Sequence, residues 1–331
     1  MNKDSKILVT GARGFLGKHV CAELKKQGYE NIIECASNKT QNHYYIDAKT
    51  NIHHCDLRCK TSAAALVKFV NPDVVIHLAA VVGGIGANKE NPATFIHDNL
   101  VMGINIIEAC KSSTYRPINL EKFILVGTVC SYPKYARVPF EEYAIWEGYP
   151  EETNAPYGIA KKTLSVMLSA YREQYGLNGI TVIPVNMYGP HDNFKPESSH
   201  VIPALIKKIH EAGERGSLEI WGSGNATREF LHAEDCARGI ILAMESSYSS
   251  DEPINIGTYN EVRICDLVHM LRDIMGHKGQ VVYDKSKPDG QPRRCLNIAK
   301  AKKELGFKPQ ISLEEGLIET VGWYLKNVTT I

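Results

Sequence analysis

Short apolar runs alternate along the first half of the chain with stretches whose apolar residues recur every three or four positions. Lys6-Ile7-Leu8-Val9-Thr10 precedes a helical pattern over 17–27, Asn31-Ile32-Ile33-Glu34-Cys35 precedes one over 62–70, and Val74-Val75-Ile76-His77-Leu78 follows. Apolar runs this short suit strands covered on both faces, and a helix between successive strands carries the chain back to start the next one parallel. The alternation continues with a helix over 99–110, a strand over 122–126, a helix over 157–175 and a strand over 179–185. It predicts an α/β fold, a Rossmann-type doubly wound parallel sheet of about six or seven strands.

After Asn186 the rhythm loosens into loops rich in Gly, Pro and Asn. Helices are predicted there over 201–211 and 264–275, then a short one over 298–306 stopped at Gly306, and a last one over 313–326. The change of pattern predicts a dinucleotide-binding domain over 1–186 and, over 187–331, a smaller C-terminal α/β domain for substrate, with the chain free to cross back to the first. No internal repeat or low-complexity tract interrupts either part.

Composition narrows the function classes. The 331 residues are 44% hydrophobic, enough for a large core, and carry 38 basic and 37 acidic side chains for a net charge of +1. Such a balance gives no overall field for nucleic acid or an anionic membrane, so an anionic ligand must be met by local charge. The apolar segment Ile7-Leu8-Val9 is too short for a signal-peptide core or a membrane span, which predicts a soluble, cytoplasmic protein. The nine cysteines include no CxxC pair, and Cys55 and Cys59 lack a His or Cys cluster at zinc-finger spacing, so reduced thiols and no metal site are expected.

Candidate chemistry begins right after the first apolar run, at Gly11-Ala12-Arg13-Gly14-Phe15-Leu16-Gly17. Glycines three apart between a strand and a helix permit a tight turn and close backbone approach, and the helix N-terminus offers N–H groups to a diphosphate. Sites for NAD place a carboxylate at the tip of the second strand, whereas NADP needs cations there. Here the strand runs Glu34-Cys35-Ala36-Ser37-Asn38-Lys39 with no acid at its tip, and Arg13 and Lys39 are within reach of a 2′-phosphate, which predicts NADP(H). Further on, Tyr157 and Lys161 form a YxxxK pair on one helical face, about thirty residues after a strand that ends near Thr128. An ammonium beside a phenol favours phenolate, so the pair is expected to lower the tyrosine's pKa and make it a usable acid/base.

These motifs, with Cys55-Asp56-Leu57, His77-Leu78-Ala79-Ala80 and Asn99, resemble the extended short-chain dehydrogenase/reductase superfamily over essentially the whole chain. The resemblance implies that Asp56 and Leu57 border the adenine, that Ala79, Ala80 and Asn99 lie along the cofactor, and that Thr128, Tyr157 and Lys161 form the active centre. Five further segments are similar to the GDP-L-fucose synthase family: 82–88 (VGGIGAN), 127–134 (GTVCSYPK), 186–194 (NMYGPHDNF), 199–205 (SHVIPAL) and 221–232, with Trp221-Gly222-Ser223-Gly224 and Arg228-Glu229-Phe230-Leu231-His232.

That family epimerises C3 and C5 of GDP-4-keto-6-deoxy-D-mannose and then reduces C4 with NADPH. By the same resemblance Cys130 and His200 are the epimerisation base and acid, Asn186, Val201, Lys208, Trp221 and Arg228 contact a GDP-linked 4-keto-6-deoxy sugar, and the enzyme is a homodimer. On the residues alone, Cys130 reads as an inert buried thiol and His200 as a loop histidine. The chain departs from the family pattern at Thr128 in place of Ser, at Val129 and Ser131 around Cys130, and at Lys208 in place of Arg, which trades a bidentate fork for a point charge. Four readings stay open: an epimerase-reductase, a C4-reductase acting on a GDP-4-keto-6-deoxy sugar or heptose, a GDP-mannose 3,5-epimerase-like enzyme, and a dinucleotide sensor without catalysis.

Overall fold

Eight strands form the main sheet of the computed structural model, which describes residues 1–37, 44–111, 120–196, 198–287 and 290–328. In chain order the first half comprises β1 (Ile7–Thr10), α1 (Phe15–Lys26), β2 (Ile32–Ala36), β3 (Tyr45–Ile46), β4 (His53–His54), α2 (Lys60–Val70), β5 (Val74–His77), α3 (Ile85–Glu90), α4 (Pro92–Ala109), β6 (Lys122–Val126), α5 (Ala155–Tyr175) and β7 (Gly179–Pro184). The second half comprises β8 (Asn186–Tyr188), α6 (Val201–Ala212), β9 (Leu218–Trp221), β10 (Thr227–His232), α7 (Ala233–Glu245), β11 (Ile254–Ile256), β12 (Glu261–Arg263), α8 (Ile264–Met275), β13 (Val281–Asp284), β14 (Arg293–Arg294), α9 (Ala299–Leu305) and α10 (Leu313–Asn327).

The sheet order is β11-β7-β6-β5-β1-β2-β4-β3, parallel except where β3 pairs β4. The expected count of six or seven strands is corrected to eight. Two-residue strands such as β3 and β4 carry no periodic signal, and β11 returns to this sheet from the second half of the chain. Period-2 alternation splits the sheet's residues between two cores: Ile7, Val9, Val74, Ile76 and Ile124 face one, while Leu8, Val75, Phe123 and Leu125 face the other. Among the described residues no helix is long and apolar enough to cross a membrane.

Two consequences matter for the site. The strand order reverses at β1 and β5, so their C-terminal ends open the crevice where doubly wound sheets bind ligands. The second half builds small sheets beside it: β10 pairs β8, β12 and β14, and β9 pairs β13. A third core, with Ile202, Leu205, Ile206, Leu218, Phe230 and Leu271, holds these strands to α6, α8 and α10.

Candidate active site

The glycine loop lies at the crevice. Gly11 has φ +73°, and a Cβ on it would sit 2.8 Å from the Ala79 backbone nitrogen; one on Gly17 would sit 2.2 Å from the Gly11 carbonyl oxygen. Only glycines let the loop close against both the end of β5 and the first turn of α1. The first turn of α1 carries no acidic residue, so nothing opposes an anion at its N-terminus.

Near the tip of β2, Glu34 is held by Lys25 at 3.0 Å and by Arg13 at 3.5 Å, so two cations offset this carboxylate. Ser37 is exposed at that tip, while Lys39 lies outside the described residues. Asp56 is gripped by the Arg58 guanidinium at 2.8 and 3.0 Å and by the Arg58 backbone N–H at 2.9 Å, and these bonds hold its carboxyl below the usual range. Arg58 also reaches Asp98 at 3.0 Å, and Leu57 is buried behind the pair. The Asn99 amide is spent on the loop after β5: its Oδ1 accepts from Val81 N at 3.0 Å and its Nδ2 donates to the Val81 carbonyl at 2.9 Å.

Thr128 follows β6 and caps a single 3-10 turn over 129–131, its Oγ1 accepting from Cys130 N at 3.2 Å. The N-terminal turn of α5 is pressed onto this turn. A Cβ on Gly158 would fall 2.3 Å from the Cys130 carbonyl oxygen, and Ser131 Oγ donates to the Gly158 carbonyl at 2.9 Å. Tyr157 thereby bonds Thr128, and Lys161 lies one turn deeper, 3% exposed. Burial, then the neighbouring Cys130, pushes the Tyr157 phenol up from its ordinary value, against the hydrogen bond from Thr128. The expected lowering by Lys161 is not what burial produces here: desolvation dominates the phenol, and the Lys161 ammonium is itself lowered by burial to about 8. A phenol that keeps its proton at neutral pH is suited to give it away.

His200 caps α6, and the loop over 82–88 sets its position. Gly84 N donates to the Ser198 carbonyl at 3.0 Å, a Cβ on Gly84 would lie 2.5 Å from the Ser199 carbonyl oxygen, and Asn88 Nδ2 ties Gly83 and Gly84 from behind at 2.8 and 3.0 Å. His200 is exposed, yet the groups around its ring desolvate it, and that, followed by the charge of Arg294, lowers its pKa. Arg294, on β14, also places Nη1 3.8 Å from Cys130 Sγ. It touches Cys130 and its charge is felt by His200, and Pro292-Arg293-Arg294 gave no signal of it in the sequence.

Further out, Val201 sits on the first turn of α6. Lys208, two turns on, donates to the Glu219 carbonyl at 3.1 Å and lies 5.2 Å from the ring centre of Trp221. Trp221 is 62% exposed, an open indole face with Lys287 also 5.6 Å from it. Arg228 donates to the Thr227 carbonyl at 2.8 Å and lies opposite Arg294 in the register of β10 and β14. Asn186 donates to the Glu229 carbonyl at 2.9 Å. Glu229 itself is fully buried and accepts from the backbone N–H groups of Leu296 at 2.7 Å, Tyr259 at 2.8 Å and Thr258, tying the β14 segment to β10. Among the described residues, no group of three His, Cys, Asp or Glu side chains could hold a metal ion.

Residues 7–257 match the model of the NAD dependent epimerase/dehydratase family. The chain is 38% identical over 329 residues to GDP-L-fucose synthase 1 of Arabidopsis thaliana, covering 99% of this chain and 95% of that one. Among solved structures it is similar to a GDP-L-fucose synthetase from Naegleria fowleri bound to NADP, with TM-score 0.85, 31% identity and coverage of 100% and 95% of the two chains. It is similar also to a GDP-6-OMe-4-keto-L-xylo-heptose reductase from C. jejuni, with TM-score 0.85, 28% identity and coverage of 98% and 99%.

Proposed function

The chain belongs to the NAD dependent epimerase/dehydratase family and, within it, to the group of the GDP-L-fucose synthases, and from that premise we propose that it is an NADP(H)-dependent oxidoreductase that epimerises and reduces a GDP-linked 4-keto-6-deoxy sugar. The observation that supports the reading is the juxtaposition of Tyr157, bonded to Thr128 and close enough to Cys130 to feel its charge, with Arg294 beside the Cys130 sulfur and acting on His200.

NADPH, when bound, supplies hydride to C4. The glycine loop and the N-terminus of α1 hold the diphosphate, and Arg13 with Lys25 and Lys39 favour the 2′-phosphate. Asn186, Val201, Lys208, Trp221 and Arg228 receive the nucleotide diphosphate and sugar, the indole by packing and the guanidinium by charge. Cys130 as thiolate takes the proton from C3 or C5; the C–H pair spreads onto the C4 oxygen as an enolate, and His200 returns a proton from the opposite face. Tyr157 then donates its proton to the C4 oxygen, with Thr128 orienting the phenol and the Lys161 ammonium stabilising the phenolate left behind. A homodimer through α4 and α5, with exposed Ile104 and Val166 at its centre, belongs to the same reading; light scattering that returned the monomer mass would remove it.

Incubation with NADPH, D₂O and a panel of GDP-4-keto-6-deoxy sugars, followed by NMR of the products, tests the assignment. Deuterium at C3 and C5 together with stoichiometric NADPH oxidation is expected. Oxidation without deuterium would leave a C4-reductase, the activity that the C. jejuni heptose enzyme's name describes. Deuterium without net oxidation would leave a 3,5-epimerase, and neither would leave a sensor.

A further inference from the structure

We propose that Arg294 is a positioning residue for Cys130, its guanidinium holding the sulfur in the cleft and stabilising the negative charge that sulfur carries when it acts as a base. The proposal rests on the epimerase reading of Cys130 given above. Its geometry is local and built: Nη1 lies 3.8 Å from Cys130 Sγ, while Nε is held at 3.2 Å by Gln291 Oε1. Gln291 is itself buried, and its Nε2 donates to the Lys134 carbonyl at 2.9 Å. One end of the fork is thus locked onto the loop that follows Cys130, and the other faces the thiol.

The strand beneath is fixed as firmly. Arg294 stands opposite Arg228 in the β10–β14 register, and the buried Glu229 carboxylate takes the Leu296 N–H at 2.7 Å. The guanidinium therefore keeps its place without a phosphate to hold it. Arg294 also acts on the second member of the pair, since its charge disfavours the protonated form of His200. The same charge makes a protonated His200 a readier donor, which suits it to return a proton to the sugar. The thiolate is the reactive form of cysteine, and a neighbouring guanidinium favours it.

The test uses the full chain and the variants Arg294→Gln and Arg294→Lys, with peptide-resolved iodoacetamide labelling of Cys130 at about pH 7.5. Cys59, half-exposed at the start of α2 and distant in the fold, serves as the internal control. Arg294→Gln should slow labelling of Cys130 about five- to tenfold while Cys59 reacts as in the wild type, and Arg294→Lys should recover most of the rate. With a GDP-4-keto-6-deoxy sugar in D₂O, Arg294→Gln should lower kcat for deuterium exchange about tenfold or more and leave KM within about twofold. Equal labelling of Cys130 in Arg294→Gln and wild type overturns the proposal, as does a raised KM at unchanged kcat, which would make Arg294 a substrate ligand. Absence of exchange in the wild type would instead sink the epimerase reading, and the labelling rates would still decide whether Arg294 governs the thiol.

Discussion

Tyr157 shows how burial can reverse a pairwise expectation. The phenol is raised rather than lowered, which suits it to the proton-donating role proposed above. Tyr157→Phe should cut NADPH oxidation at least ~100-fold with KM little changed, the loss expected when a general acid disappears. In the wild type the rate should decline through about pH 8 as Lys161 deprotonates, because neutral lysine cannot stabilise the phenolate; a rate flat up to pH 10, well beyond the value of about 8 for Lys161, would show that its charge is not needed. Near the tip of β2, Glu34 sits between Lys25 and Arg13, and in the reading proposed above its charge would oppose a 2′-phosphate. Glu34→Gln should tighten NADPH several-fold with little change for NADH, and Arg13→Ala should weaken NADPH selectively. Fluorescence titration with both nucleotides measures this, and equal shifts for the two would mean that Glu34 does not see the 2′-position.

At the scale of elements, the contact between the first turn of α5 and the turn over 129–131 is what makes an active centre from two distant stretches of chain. Gly158→Ala must push the helix off the Cys130 carbonyl, since its Cβ would lie 2.3 Å away from a backbone atom that cannot rotate aside. A destabilisation of about 1–3 kcal/mol in urea unfolding is expected, with activity falling further than stability alone requires; wild-type turnover in a folded Gly158→Ala protein would show that the turn can yield. The YxxxK spacing and the glycine loop are legible in sequence because each is a local pattern on one element. α8, read over 264–275, is found at Ile264–Met275, since its apolar face repeats strictly and Gly276 stops it. α4 begins at Pro92 rather than near Asn99 because proline suits a first turn that apolar periodicity does not mark. α7 and the short strands around β10 were not legible. Their pairings join segments dozens of residues apart, and Arg294 reaches Cys130 only through them.

Over the whole molecule, the seam between the large sheet and the second half is closed by buried histidines. His19 on α1 donates from Nε2 to the Pro190 carbonyl at 2.8 Å, and His232 at the end of β10 caps α7 through Nδ1 and turns Nε2 toward Glu319 at 3.5 Å. The two rings lie 6.2 Å apart, and Tyr188 of β8 packs edge-on against His232 at 5.4 Å. Burial, then the neighbouring His19, lowers His232 to about 4, and burial lowers His19 as well. The sign follows directly. Below pH 6.5 the unfolded chain binds protons that the folded seam refuses, so the stabilisation is complete above 6.5 and is lost as pH falls from there toward 4. Asp192, raised by burial to about 7, works the other way, since its folded carboxyl keeps a proton that the unfolded one loses. The overall curve is a sum, and the contribution of His232 is isolated by difference. His232→Asn keeps a side chain able to cap α7 while removing the titration. It should cost stability at pH 7.5 through lost packing, yet lose less than the wild type between pH 6.5 and 4.5, inside the window set by His232, so that the two urea midpoints converge on acidification. Parallel midpoints across that range would show that His232 takes up its proton without loosening the seam.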